Sequence, residues 1–140
     1  MFKDKISSEC INERLNNFYY PWHNSLKIFI KQILINMGFV FLLDCHSMPS
    51  YKERKIPDFV LGDRYGISCD DSITSFVKDF LINRGYTVGI NNPYAGGFIT
   101  DNYYDKERNV QTMQLEIKRD LYMSEDSYNK NSNFIRLADE

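Results

Sequence analysis

Two histidines and three cysteines in 140 residues leave little material for a metal centre and less for a disulfide framework. The cysteines (Cys10, Cys45, Cys69) are odd in number and lack a Cys-x-x-Cys spacing. That pattern argues for a reducing compartment, with the cytoplasm as the default expectation. No uninterrupted apolar run approaches the roughly 20 residues of a membrane helix. Residues 1–10 lack the apolar core of a signal peptide. Nor is there an excess of one charge: 17 Lys and Arg stand against 19 Asp and Glu, a net −2. A polyanion partner is therefore not expected, and neither a nucleic acid nor a membrane is implied. The densest basic group is Lys52, Arg54 and Lys55. Glu53 interrupts it, so a solvated loop accounts for it. Internal repeats are absent, and so are the Walker lysine and the Rossmann glycine spacing.

What is present suits one α/β domain over residues 1–140, with 1–17 and 124–140 loosely ordered. Hydrophobic residues make up 43% and charged residues 26%, enough apolar surface for a core. The central feature is Phe39-Val40-Phe41-Leu42-Leu43-Asp44-Cys45-His46-Ser47-Met48-Pro49-Ser50. Its five leading apolar residues predict a strand buried on both faces. Side chains alternate along a strand, so Asp44 and His46 share a side if the extended backbone persists. A carboxylate and an imidazole then stand at the carboxyl end of a core strand, where open α/β sheets bind ligands. The plainer account is a polar strand end in which Asp44 merely holds the His46 ring.

Residues 1–17 read as a loose arm, or as a short helix over 8–15. Pro21 suits a first helical turn. Leu26, Phe29, Ile30, Ile33, Leu34 and Met37 then repeat at i, i+3, i+4, i+7, i+8 and i+11, which predicts a helix over 22–37 that Gly38 ends. A short extended piece is expected at 58–63 and an irregular connection at 64–69. Asp70 or Asp71 is a plausible N-cap through its carboxylate. Ile73, Phe76, Val77, Phe80 and Leu81 predict a second helix, ended by Gly85, before a strand at 86–91. Residues 91–97 form a turn-rich loop, and a further loop runs from 101 to 109. In 110–118 the residues alternate: Gln111, Met113, Leu115 and Ile117 face one way, Thr112, Gln114, Glu116 and Lys118 the other. On pattern alone Glu116 belongs to the solvated face of an edge strand. Residues 129–133 read as poorly ordered, with a helix beginning at Phe134. The element order implies a mixed sheet with helices on its faces.

Four segments together resemble the N-formylglutamate amidohydrolase family. They are Asp44-Cys45-His46-Ser47-Met48-Pro49-Ser50, Pro57-Asp58-Phe59-Val60-Leu61-Gly62-Asp63-Arg64, Asn92-Pro93-Tyr94-Ala95-Gly96-Gly97-Phe98-Ile99-Thr100, and Gln114-Leu115-Glu116-Ile117-Lys118-Arg119 with Leu121-Tyr122-Met123 after it. Tyr20-Pro21-Trp22-His23 is similar to the family's lead into the preceding helix. Order and spacing agree over roughly residues 15–125. The resemblance implies a three-layer α/β/α sandwich with a mixed sheet, phosphorylase/hydrolase-like and related to zinc carboxypeptidases and aspartoacylase. It implies a zinc-dependent hydrolase of the amide bond of an N-acyl amino acid, the named reaction splitting N-formyl-L-glutamate in histidine breakdown. By position, His46 resembles the later zinc ligand and Glu116 the general base toward the attacking water. Asp44 would orient an imidazole. Arg64, Asn92, Tyr94 and Arg119 are candidates to meet a substrate carboxylate.

One departure qualifies the resemblance. The family's first zinc ligands, a His-x-x-Glu-like pair, lie upstream of anything like Tyr20-Pro21, where this chain holds no histidine. His23 reads as a surface or capping histidine. A catalytic zinc takes three protein ligands, and Cys45 faces away from His46 while Cys69 has no supporting spacing. A histidine is expected near position 111, where this chain has Gln111. The chain thus resembles the carboxyl-terminal half of the family, apparently lacking the amino-terminal part of the sheet. Three readings stay open: a truncated hydrolase weak or inactive alone, one half of a split enzyme completed by another polypeptide or by self-association through sheet edges, and a non-enzymatic binding module.

Overall fold

The computed structural model describes residues 5–50 and 55–139. The chain divides into two compact units, Met1–Val40 and Phe41–Glu140. The charged group at Lys52 and Arg54 lies outside the described residues.

The first unit is helical. Helix α1 spans Ser8–Arg14, a π-helical segment spans Leu15–Tyr19, and α2 spans Tyr20–Met37. Ser7 caps α1, its hydroxyl accepting the Cys10 N–H at 3.2 Å. Gly38 ends α2 in the left-handed conformation (φ 71°), its N–H reaching the Leu34 carbonyl at 2.8 Å. The helix expected over 22–37 therefore starts two residues earlier and continues a longer helical run. Phe29, Ile33 and Met37 of the predicted apolar stripe are exposed. His23 corrects its expected surface or capping role. It is buried, with ring centroids 4.2 Å from Tyr19 and 4.8 Å from Trp22.

The second unit is a mixed four-stranded sheet with helices. Its strands are β1 (Val40–Met48), β2 (Phe59–Gly62), β3 (Val88–Ile90) and β4 (Val110–Lys118), in the order β1-β4-β2-β3. Strands β2 and β3 pair parallel, with Phe59 beside Val88. Strands β2 and β4 pair antiparallel, with Val60 beside Glu116 and Gly62 beside Gln114. Helices α3 (Asp71–Ile82), α4 (Phe98–Tyr103) and α5 (Phe134–Asp139) complete the unit, with a 3-10 turn at Arg119–Leu121. Residues 98–103, partly assigned to a loop from the sequence, are α4.

Two strand expectations are corrected. The apolar run of β1 does not mark a doubly buried strand: β1 ends the strand order, and Leu43, Cys45, His46 and Ser47 are exposed. Conversely, β4 is not an edge strand. It lies between β1 and β2, and Thr112, Gln114 and Glu116 on its polar face are buried. The short piece at 58–63 becomes β2, whose four residues are all buried.

The core gathers Phe59, Leu61, Cys69, Leu81 and Met113, with Ile73 and Val77 of α3 packed against them. Each fully buried aliphatic side chain contributes about 1.5–3 kcal/mol. The other face of β4 is covered differently. The Thr112 hydroxyl donates to the Thr100 carbonyl of α4 at 2.7 Å, and the Ser68 hydroxyl donates to the Thr112 carbonyl at 2.9 Å. Asp70 is the N-cap residue of α3, but its carboxylate makes no cap bond. It accepts instead from Gln111 Nε2 at 2.7 Å. At the base of the sheet, Asp58 accepts from Lys118 Nζ (2.8 Å), the Thr87 N–H (2.9 Å) and the Thr87 hydroxyl (2.8 Å). Burial alone would raise the Asp58 pKa, but these donors and the Lys118 charge outweigh it and lower it.

Two expected outcomes follow from this packing. A Cβ on Gly62 would collide with the Gly96 nitrogen, backbone that cannot rotate away. Gly62→Ala should therefore lower stability by about 1–3 kcal/mol or more in urea unfolding, as overpacked sites do. Asp58→Asn should cost about 1–3 kcal/mol, because it removes the charged partner of Lys118. The wild-type pH profile has a fixed sign here. The Asp58 carboxyl is depressed in the folded state, so its contribution is present above about pH 4. It is lost as pH falls through the folded value, and acid titration of the two proteins should converge there.

Candidate active site

Glu116, Gln114, His46 and Asp44 come together where β1 and β4 lie side by side. Strand β1 stays extended through Met48, so the period of two carries Asp44 and His46 to one side. His46 Nε2 is 3.0 Å from Asp44 Oδ2, and His46 Nδ1 is 3.9 Å from Glu116 Oε1. An ionised carboxylate only accepts, so Nε2 carries the proton toward Asp44. Nδ1 then presents a lone pair toward Glu116 in the neutral ring and an N–H in the protonated one. Glu116 itself is 5% exposed. Its Oε1 accepts from Gln114 Nε2 at 2.8 Å.

Burial raises the Glu116 pKa above the ordinary carboxyl value, and the Asp44 charge adds to it. The His46 charge, the Gln114 hydrogen bond and Arg119 pull the other way without cancelling the rise. A buried carboxyl with raised proton affinity has the chemistry a general base needs.

Of the remaining sequence candidates, Arg119 acts on this group through its charge. It follows β4 directly and bears electrostatically on Glu116. Its Nε donates to the Ser47 hydroxyl (3.2 Å) and its guanidinium stands 3.7 Å from Glu125. Arg64 belongs to the turn after β2 and pairs with Asp101 at 3.0 Å. Asn92 and Tyr94 lie on the loop between β3 and α4, Asn92 exposed and Tyr94 half-buried. The Gly96-Gly97 backbone joins these two parts. The Cβ position of Gly96 is 3.1 Å from the Arg64 side chain, and that of Gly97 is 3.6 Å from Gln114 Oε1.

The donor set does not make a complete metal centre. Among the described residues, no group of three or more His, Cys, Asp or Glu side chains is placed to hold a metal ion. His46 alone has suitable surroundings: one ring nitrogen is held by a carboxylate and the other is directed at a buried acid. The thiols do not supply the deficit. Burial pushes the Cys69 thiol up to about 11, against a lowering bond from Thr74. Burial, then Asp44, raise Cys45 as well. Neither is poised as a thiolate. Gln111, where a histidine was expected, is engaged by Asp70.

A sequence profile described as N-formylglutamate amidohydrolase matches residues 1–123. The chain belongs to the N-formylglutamate amidohydrolase family. It is 30% identical over 132 residues to an N-formylglutamate deformylase of Pseudomonas putida, covering 89% of this chain and 49% of that protein. A second N-formylglutamate deformylase, from Pseudomonas aeruginosa, is 29% identical over 116 residues, with 79% and 44% covered. A crystal structure of N-formylglutamate amidohydrolase from Ralstonia eutropha JMP134 superposes with a TM-score of 0.89 at 31% identity. That match covers 98% of this chain and 52% of the other. The chain thus spans about half the length of these relatives. Its mixed sheet with helices is the α/β fold of the family.

In the sequence Gln114 is only a neighbour of Glu116 on one strand face, and nothing marks Ser47 and Glu125 as the partners of Arg119. The two-residue spacing of Gln114 and Glu116 matched that of Asp44 and His46, and it was the available signal. If Asp44 fixes the ring, the neutral wild-type imidazole should be the Nε2–H tautomer in ¹⁵N spectra. Asp44→Asn should shift the His46 population toward the Nδ1–H form. Unchanged ¹⁵N shifts would remove Asp44 from that role.

Proposed function

We propose that this chain supplies the Glu116 and His46 portion of a hydrolytic site that cleaves the C–N amide bond of an N-acyl amino acid, with N-formyl-L-glutamate as the substrate. The observation that carries this reading is the buried Glu116 carboxylate, held on one oxygen by Gln114 and facing an imidazole fixed by Asp44. Family membership and the names of the matched relatives support the substrate class. In this reading Glu116 takes a proton from the water that attacks the formyl carbon. It then delivers that proton to the leaving amine, so that formate and glutamate result and the carboxylate is restored. Burial favours the step because it raises the affinity of Glu116 for the proton it must hold. Gln114 leaves Glu116 Oε2 as the oxygen that meets water. Arg119 and Arg64 are the charged candidates for the substrate carboxylates, with Asn92 and Tyr94 as neutral hydrogen-bonding groups.

Zinc is the cofactor we propose, with His46 as one ligand and the remaining ligands outside the described residues. A companion reading rests on the sheet. Strand β1 ends the strand order among the described residues with Leu43 and Cys45 exposed. A segment equivalent to the rest of the family fold, on another polypeptide, would pair with that strand and complete the site. Unpaired strands of this length are association surfaces.

The test joins two variants. In the chain completed by the rest of the family fold, Glu116→Gln should cut formate release from N-formyl-L-glutamate by about 10²–10⁴-fold, the range of general acid–base catalysis, while leaving zinc content unchanged. His46→Ala should lower zinc affinity measured by equilibrium dialysis. Full hydrolysis by the Glu116→Gln protein would defeat the reading.

A further inference from the structure

The carboxyl ends of β2 and β3 carry a polar cluster outside the Glu116 group. Asp63 follows β2 directly and is 3% exposed. Its Oδ1 accepts from the Gly66 N–H at 2.9 Å and from Asn91 Nδ2 at 2.6 Å, and its Oδ2 accepts from the Thr74 hydroxyl at 2.9 Å. Its own N–H donates to Asn91 Oδ1 at 3.1 Å. Asp63 and Asn91 therefore bond reciprocally and tie the two strand ends together, while Thr74 anchors the pair to α3.

This anchoring acts on the next residue. Arg64 and Tyr65 both take the left-handed conformation, φ 54° and 59°. That region disfavours residues with a Cβ, and two in succession need support from outside. The Asp63 carboxylate provides it by closing the turn onto Gly66. The Arg64 N–H donates to the Ala95 carbonyl at 2.8 Å, which fixes the turn against the loop before α4. The root of the Arg64 side chain is thus held rigidly. Its guanidinium is held weakly, by an Asp101 carboxylate that is 62% exposed. Exposed ion pairs contribute little, so an incoming carboxylate can displace Asp101 without a large penalty. A fixed root and an exchangeable head describe an arginine prepared for an anionic ligand.

We propose that Asp63 is the positioning residue of Arg64, and that through it Arg64 distinguishes a substrate carboxylate from an uncharged group. This rests on the reading of Arg64 as a substrate-binding residue.

The test uses the full chain and two probes, N-formyl-L-glutamate and its uncharged dimethyl ester. Wild type should bind the dianion at least about tenfold more tightly, the value of one charged hydrogen-bonding partner. Asp63→Asn replaces an acceptor by a donor among three donors, and it should cut that ratio to the part that Arg119 sustains. Arg64→Ala should do the same, and the double variant should lose no more than either alone. Thr74→Val removes one donor and keeps Asp63, so it should give a partial loss even if Asp63→Asn folds poorly. A ligand-free measurement separates the two claims. In Asp63→Asn, hydrogen exchange of the Arg64 and Gly66 amides should accelerate while Val60 and Leu61 stay protected. Retained protection at Arg64, or a discrimination ratio lost in Arg64→Ala but kept in Asp63→Asn, overturns the role of Asp63. Equal binding of both probes by wild type and Arg64→Ala overturns the reading of Arg64 instead, whatever the exchange data show for Asp63.

Discussion

The site depends on one costly burial. One face of strand β4 carries Thr112, Gln114 and Glu116, all buried, while on the other Met113 is buried and Gln111, Leu115 and Ile117 are half-buried. A carboxylate taken out of water loses hydration that must be replaced. Here the replacement is partial: one Gln114 N–H, the His46 ring at 3.9 Å and the field of Arg119. Glu116 is left with a raised proton affinity, which is a liability for stability and an asset for a base. The same strand carries an opposite solution two residues later, where Lys118 meets Asp58 at 2.8 Å and both charged forms are favoured despite burial. Two titratable residues on one strand thus take different roles because their neighbours differ.

The loops at the carboxyl ends of β2 and β3 answer to a second constraint, the close approach of backbones. Gly62 and Gly96 meet without room for a Cβ, and Gly96 has φ 108°. That contact brings the Arg64 turn and the Gly97 segment to the edge of Gln114. A Cβ at Gly96 would crowd the Arg64 side chain, and one at Gly97 would stand in ordinary contact with Gln114.

Much of this was legible in the residues. The alternation over 110–118 placed β4 to the residue, and the spacing of Ile73, Phe76, Val77, Phe80 and Leu81 placed α3. Two-residue spacing put Asp44 beside His46 because β1 stays extended. Position in the sheet is legible only in part: the likeness to the carboxyl-terminal half of the family implies that central strands are left as edges, but no local pattern says which. A run such as Phe39 to Leu43 reports affinity for apolar surroundings, not whether another strand supplies them, and β1 ends the strand order among the described residues. Glu116 was misplaced for the converse reason: pattern gives a face, and only the strand order says whether that face is covered. Asp63 was missed because its partners, Thr74 and Asn91, are 11 and 28 residues away.

The described residues bring together the buried Glu116 carboxyl, a His46 ring held by Asp44, and Arg119 at their margin. The chain spans about half the length of the relatives it matches, and one imidazole does not make a metal site. The most direct test is formate release from N-formyl-L-glutamate by the purified chain with zinc. It should be measured alone and after adding the polypeptide equivalent to the part of the Ralstonia eutropha enzyme that this chain does not match. The account predicts little release alone, a rise on addition, and loss of that rise with Glu116→Gln. Rapid release by the chain alone that survives Glu116→Gln would contradict it.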